Sequence, residues 1–89
     1  MTDAVSLAEA RLFLRVTQDA EDELIALLIA AAQIRVGGAT GMAVDEAWPA
    51  PLRLAVLQLV AHAYEHRDGG EADLKLVEPW LAAYREARL

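Results

Sequence analysis

The residues best placed to do chemistry in this chain are His62, Glu65 and His66, in the run His62-Ala63-Tyr64-Glu65-His66. The pattern H-x-x-E-H is the inverted form of a zinc-hydrolase signature. Two histidines four apart on a helix share a face and can hold one zinc, with the glutamate beside them as a base. A catalytic zinc also needs a third ligand, an open coordination position and a cleft. A chain of 89 residues offers carboxylates but no evident pocket. The preferred reading is plainer. Both imidazoles sit near the end of a long helix, where a partly positive ring suits the dipole and the ring tips reach water. No metal, cofactor or catalytic residue is assigned.

Other chemical signals are weaker. Ser6 is the sole serine and reads as a helix cap. There is no G-x-S-x-G, P-loop or G-x-G-x-x-G, and Gly37, Gly38 and Gly41 do not make a phosphate cradle. The acidic run Asp19-Ala20-Glu21-Asp22-Glu23 lacks the alternating ligands and central glycine of a calcium loop, so it reads as a helix start. Trp48, Tyr64, Trp80 and Tyr84 lack the interleaved basic residues of a base-stacking surface and read as core and interface anchors. The formal charge of −6, with the basic residues scattered, argues against wrapping duplex DNA. Without cysteine there is neither a disulfide framework nor a Cys-based metal site. Met1-Thr2-Asp3 lacks the basic start of a signal peptide. The longest unbroken apolar run, Leu24 to Ala32, is short of the ~20 residues of a spanning helix. The expectation is a soluble intracellular product with no membrane partner.

The elements that would position these residues are helices. Met1 to Val5 is expected to be a loose arm. Ser6-Leu7-Ala8-Glu9 is a capping box opening a helix from about Leu7 to Leu14, with Leu7, Ala10, Phe13 and Leu14 as its buried face. Asp19 is expected to cap a second helix that stops at Gly37-Gly38. In it, Leu24, Leu27, Leu28 and Ile34 point one way and Ile25 and Ile29 another, with Ala30, Ala31 and Ala32 thin enough for a close helix approach. One face is read as core and the other as a contact with a partner subunit, because a few short helices cannot cover both. Residues 37–48 are expected to be a long connecting loop. Trp48, Pro49 and Pro51 then open a third helix that runs to about Asp68 before Gly69-Gly70, with Arg53 and Gln58 the polar residues between Leu52 and Ala61. Residues 69–89 hold a linker and a short terminal helix starting near Glu78 or Pro79, on which Trp80, Leu81, Ala83 and Tyr84 pack and Arg85 and Arg88 meet the negative end. The prediction is an all-α, single-domain bundle of three main helices plus a short C-terminal one. With 56% hydrophobic residues, part of its apolar surface is expected to face other chains.

Three stretches carry a family resemblance. They are Ser6-Leu7-Ala8-Glu9-Ala10 leading to Leu14-Arg15-Val16; Asp19 to Ala32; and Trp48-Pro49 with Pro51-Leu52-Arg53, Ala55, Val60-Ala61-His62, Tyr64-Glu65 and Arg67. Trp80-Leu81, Tyr84 and Arg85 add to them. In this order and spacing the chain resembles the head–tail connector (adaptor) proteins of long-tailed phages, a family shared with phage-like gene transfer agents. The resemblance implies a non-enzymatic virion subunit, made in the bacterial host cytoplasm, that forms a ring, usually of twelve. The ring sits under the portal protein and joins it to the stopper or tail connector protein, and DNA passes through without sequence-specific binding. Leu24, Leu28, Ile29, Trp48, Leu57, Trp80 and Tyr84 are assigned to the subunit or portal interface. Asp19, Glu21, Asp22, Asp45 and Glu46 are assigned to the channel, where carboxylates repel phosphate. From the residues alone, the rival is a small cytoplasmic helical protein–protein interaction module that completes its core on one partner helix.

Overall fold

The computed structural model describes residues 3–66 and 74–86, with side chains to residue 84. It is all-α, with no strand among the described residues. The elements are α1 (Leu7–Leu14), α2 (Asp22–Thr40), α3 (Ala50–Glu65), a 3-10 turn (Leu74–Val77) and α4 (Glu78–Glu86). α2 and α3 form the central pair, while α1 and α4 each pack on both and do not touch one another.

The capping box forms as expected. Ser6 Oγ accepts the Glu9 N–H at 3.0 Å, and Glu9 Oε1 accepts the Ser6 N–H at 3.0 Å. Arg15 closes α1 in the left-handed region (φ 61°). One expected core residue is corrected. Ala10 is buried and Leu7 and Leu14 flank it, but Phe13 is 41% exposed. Phe13 stands on the other side of Ala10 from the two leucines, and α1 leans toward the leucines.

The expected loose arm is also corrected for the residues described. Ala4 and Val5 are buried, because Gln33 on α2 clamps their backbone. Gln33 Oε1 accepts the N–H of Ala4 at 2.7 Å and of Val5 at 3.0 Å, and its Nε2 donates to Asp3 Oδ1 at 3.1 Å. From α3, Arg53 Nε donates to the Ala4 carbonyl at 3.3 Å and its guanidinium pairs with Glu9. Met1 and Thr2 lie outside the described residues.

α2 starts and ends later than expected. Asp19 supplies a backbone turn, its carbonyl accepting the Asp22 N–H, and Glu21 takes the cap position without a side-chain bond. Gly37 and Gly38 lie inside the helix. The stop is Gly41, left-handed at φ 74°, whose N–H reaches the Gly37 carbonyl at 2.8 Å. The connection to α3 therefore begins at residue 41, not 37. Gly37 serves close approach: a Cβ there would stand 2.8 Å from the Met42 carbonyl oxygen and near the Trp48 ring. Trp48 is 5% exposed and donates its Nε1–H to the Ala43 carbonyl at 2.8 Å, fixing the entry to α3.

α2 is long and apolar enough to cross a membrane, with a mean hydropathy of 1.4. In this fold it is the central bundle helix. Ile25, Ile29, Ala32 and Val36 are buried on one side, and its amide-bearing Gln33 binds the N-terminal segment.

α3 opens as expected, with Pro49 at the cap and Pro51 in the first turn, where a missing N–H costs nothing. Leu52, Ala55, Val56, Leu59 and Val60 are buried. α4 begins at Glu78, as Pro79 requires. On it Leu81 is buried and Tyr84 half-buried, while Ala83 is exposed. The 3-10 turn before it was not anticipated; it buries Val77. The Gly69-Gly70 break, Arg67, Asp68, Arg88 and the Arg85 side chain lie outside what is described.

Substitutions at Gln33 and at the two helical glycines test these contacts. Gln33→Leu strands two buried N–H groups and is expected to cost about 2–4 kcal/mol in urea unfolding; an unchanged midpoint would mean that the segment is not held by this amide. Gly38→Ala, whose Cβ would meet nothing within 4 Å, is expected to stabilise by about 0.5–1 kcal/mol, whereas Gly37→Ala is expected to destabilise despite the same gain in helix propensity. Equal effects at the two positions would refute the close-approach account.

Candidate assembly surface

His62 and His66 do share one face of α3. Their rings stack with centroids 4.4 Å apart, and His66 Nδ1 lies 2.9 Å from the His62 carbonyl oxygen. Glu65 is exposed. Among the described residues no group of three His, Asp or Glu side chains is placed to hold a metal ion. One cavity of about 330 Å³ is lined by residues 15–18, Ala20, Glu21 and Tyr64, and another of about 410 Å³ by residues 42, 43, 45 and 47–49. Neither is lined by either histidine. Among the described residues the zinc reading gains no third ligand and no cleft.

What the surface does offer is apolar area. On α2, Leu27 is 67% and Ile34 70% exposed, with Ala30 and Ala31 exposed between them. These residues recur at spacings of three, four and seven, so they form one stripe along the side of α2 facing away from the buried Ile25, Ile29, Ala32 and Val36. Leu12 and Phe13 on α1, and Leu76 and Trp80 near α4, are the other large apolar side chains left exposed. An apolar stripe left open on a central helix is a candidate contact surface.

The residues assigned to the interface divide. Ile29 and Trp48 are corrected: at 3% and 5% exposure they belong to the core of the single chain, Ile29 under α2 and Trp48 over Gly37. Leu28, Leu57 and Tyr84 are half-buried against that core, and Leu24 is half-buried. Trp80 is at the surface, its Nε1–H donated to Gln58 Oε1 at 3.1 Å. Leu27 and Ile34, the most open large residues of α2, share by spacing a face distinct from that of Ile25 and Ile29, and neither is among the residues assigned to the interface. Their shared face with Ala30 and Ala31 was the signal that could have selected them.

The acidic residues divide too. Asp19, Glu21 and Asp22 lie at the start of α2, and Asp45 and Glu46 lie beyond its end. Nineteen helical residues separate the two groups by about 28 Å. Asp19, Asp45 and Glu46 are exposed. Glu21 accepts the Tyr64 hydroxyl, and Asp22 faces Arg11 at 3.6 Å, so both have partners within the chain. Arg11 also donates to the Thr17 carbonyl at 3.0 Å, which holds the α1–α2 connection against the start of α2.

Fold and surface together define a class: a small all-α bundle with an open apolar back on its central helix. The particular family follows from comparison. Residues 4–78 match the Phage gp6-like head-tail connector protein family, and the chain belongs to that family. It is a family of structural, non-enzymatic proteins, which gives this chain an adaptor role at the head–tail interface of the virion, assembled with other particle proteins. No match was found among curated proteins or among solved structures.

A structural role sets the expectation for His62 and His66. Protein purified without a histidine tag is expected to carry no stoichiometric zinc by elemental analysis and to melt at the same temperature with or without EDTA. One zinc per chain, or unfolding in chelator, would restore the metal reading.

Proposed function

We propose that the chain is one subunit of a ring, of twelve copies, at the portal–tail junction of a phage or phage-like gene transfer agent particle. Subunits made in the host cytoplasm join the portal protein on one side and the stopper or tail connector protein on the other. DNA passes through the hole without sequence-specific contact. The observation that carries this reading is the open back of α2. A connector subunit that leaves Leu27 and Ile34 in water as a monomer has that area to bury on a neighbour.

Charge supports the conduit. The chain is acidic overall, and a carboxylate-rich wall gives phosphates nothing to bind. The two acidic groups lie about 28 Å apart along α2, so in the ring they form two separate rims rather than one band. Exposed Asp19 would mark one rim, and Asp45 with Glu46 the other. Glu21 and Asp22 contribute field from behind, already engaged with Tyr64 and Arg11.

The test replaces the back of α2. Leu27→Asp with Ile34→Asp is expected to leave the melting temperature within a few degrees, because both side chains are exposed. In the producing cell the variant is expected to accumulate as free subunit, with filled heads that lack tails in electron micrographs. Tailed particles carrying the variant in normal amount would overturn the reading.

A further inference from the structure

We propose that the back of α2 seats on the back of α3 in the next copy, so that the ring is a closed alternation of α2 and α3. This rests on the ring reading above and adds which two faces meet.

The flanking helices α1 and α4 sit on different sides of α3. On α3, Arg53 reaches Glu9 and the Ala4 carbonyl, on the α1 side. Gln58 accepts from Trp80, on the α4 side. Five residues apart, they stand about 140° apart around the helix. The buried ridge of Leu52, Val56 and Leu59 lies on the longer arc between them, facing α2. Ala50, Leu54, Leu57 and Ala61 lie on the shorter arc; Ala50 is exposed and the other three are half-buried. α1 and α4 thus take the two sides of the α2–α3 pair. They leave the back of α2 open in full and that of α3 open in part. Those backs point in opposite directions. A ring needs two different faces meeting head to tail, and opposed faces supply them.

The two backs are also complementary in shape. The back of α3 reads Ala50, Leu54, Leu57, Ala61, at steps of four, three and four, the spacing of a helix-pairing seam. Its order is small, large, large, small. The back of α2 is the reverse, with Leu27 and Ile34 outside and Ala30 and Ala31 in the middle. With the two midpoints laid together, Leu54 and Leu57 stand about 2 Å either side of centre, over Ala30 and Ala31. Leu27 and Ile34 stand about 5 Å out, and Ala50 and Ala61 about 8 Å out. Each long α2 side chain therefore drops between a leucine and an alanine of α3. The match holds for either direction of approach and is the knob-and-hole pattern of paired helices. Two α2 backs in register cannot do this. Their long residues would meet each other, and their alanines would face across a gap.

The chain has no cysteine, which makes it a clean background for crosslinking. Ile34→Cys combined in one chain with Ala50→Cys, or with Ala61→Cys, reads the two directions of approach. In assembled particles exposed to mild oxidant, one of these pairs is expected to give a ladder of covalent oligomers, while each single cysteine stays monomeric. A dimer from Ile34→Cys alone would overturn the proposal in favour of α2 pairing with itself. No ladder from either pair, in particles shown by quantitative mass spectrometry to carry many copies, would overturn the face assignment and leave the ring standing. A single copy per particle would remove the ring reading as well. A disulfide-free check uses charge. Leu27→Asp/Ile34→Asp and Ala50→Arg/Ala61→Arg are each expected to fail in assembly alone and to assemble when mixed. In the mixture acidic α2 backs meet basic α3 backs, and the unchanged faces meet each other. Failure of the mixture, with both variants folded by circular dichroism, would count against the pairing.

Discussion

Everything in this molecule follows from one constraint: α2 is apolar on both of its long sides. A helix that is hydrophobic all round must be buried all round. Three partners are at hand among the described elements, and they cover one side. α3 takes the ridge of Ile25, Ile29, Ala32 and Val36, and α1 and α4 fill the flanks. Nothing among the described residues covers Leu27 and Ile34. In a domain this small the shortfall is geometric, because short helices around one long helix close the near side before they reach the far side.

Against that greasy background, three polar side chains set the arrangement. Gln33 has both ends of its amide occupied by the N-terminal segment, as acceptor for Ala4 and Val5 and donor to Asp3. Arg53 ties the same segment and α1 to α3, and Gln58 ties α4 to α3 through Trp80. Apolar packing between alanine- and leucine-rich helices is nearly direction-blind. Hydrogen bonds with one geometry each are not, and a buried polar group left unpaired costs more than a pair contributes. These contacts decide which flank α1 takes and which α4 takes. In doing so they decide which faces remain open.

How much of this was legible in the sequence depended on the range of the cause. The capping box at Ser6, the prolines at the start of α3 and Pro79 at the start of α4 act within one helical turn, and these helix starts are legible in the sequence to within about a residue. The Gly37-Gly38 pair looks like a stop, yet α2 runs on to Thr40. Gly37 is there instead because the Met42 carbonyl and Trp48 approach too closely for a Cβ. That reason lies five and eleven residues away, and glycine at Gly41 does the stopping. The burial of Ala4 and Val5 was invisible for the same reason, since the cause is an amide on another helix. Ile29 and Trp48, large apolar residues read as interface, are buried in the core of the single chain. Spacing relative to Leu27 and Ile34 was the better guide, and it places Ile29 on the buried side.

The size of the open face bears on how such a subunit behaves before it meets its particle. Burying Leu27 and Ile34 is worth on the order of 1.5–3 kcal/mol each. Bringing two free chains together costs an estimated 4–15 kcal/mol, to order of magnitude about the same or more, in lost freedom. An open stripe from Leu27 to Ile34, about 10 Å of helix, is therefore a weak pairwise contact between free chains. In a closed ring each subunit makes that contact twice. If a neighbouring particle protein already holds the subunits in place, the second contact is intramolecular and gains from effective concentration. An interface too weak to act between free molecules and sufficient on a template would keep an apolar protein from associating at random, and would let the proposed ring form where its partner is.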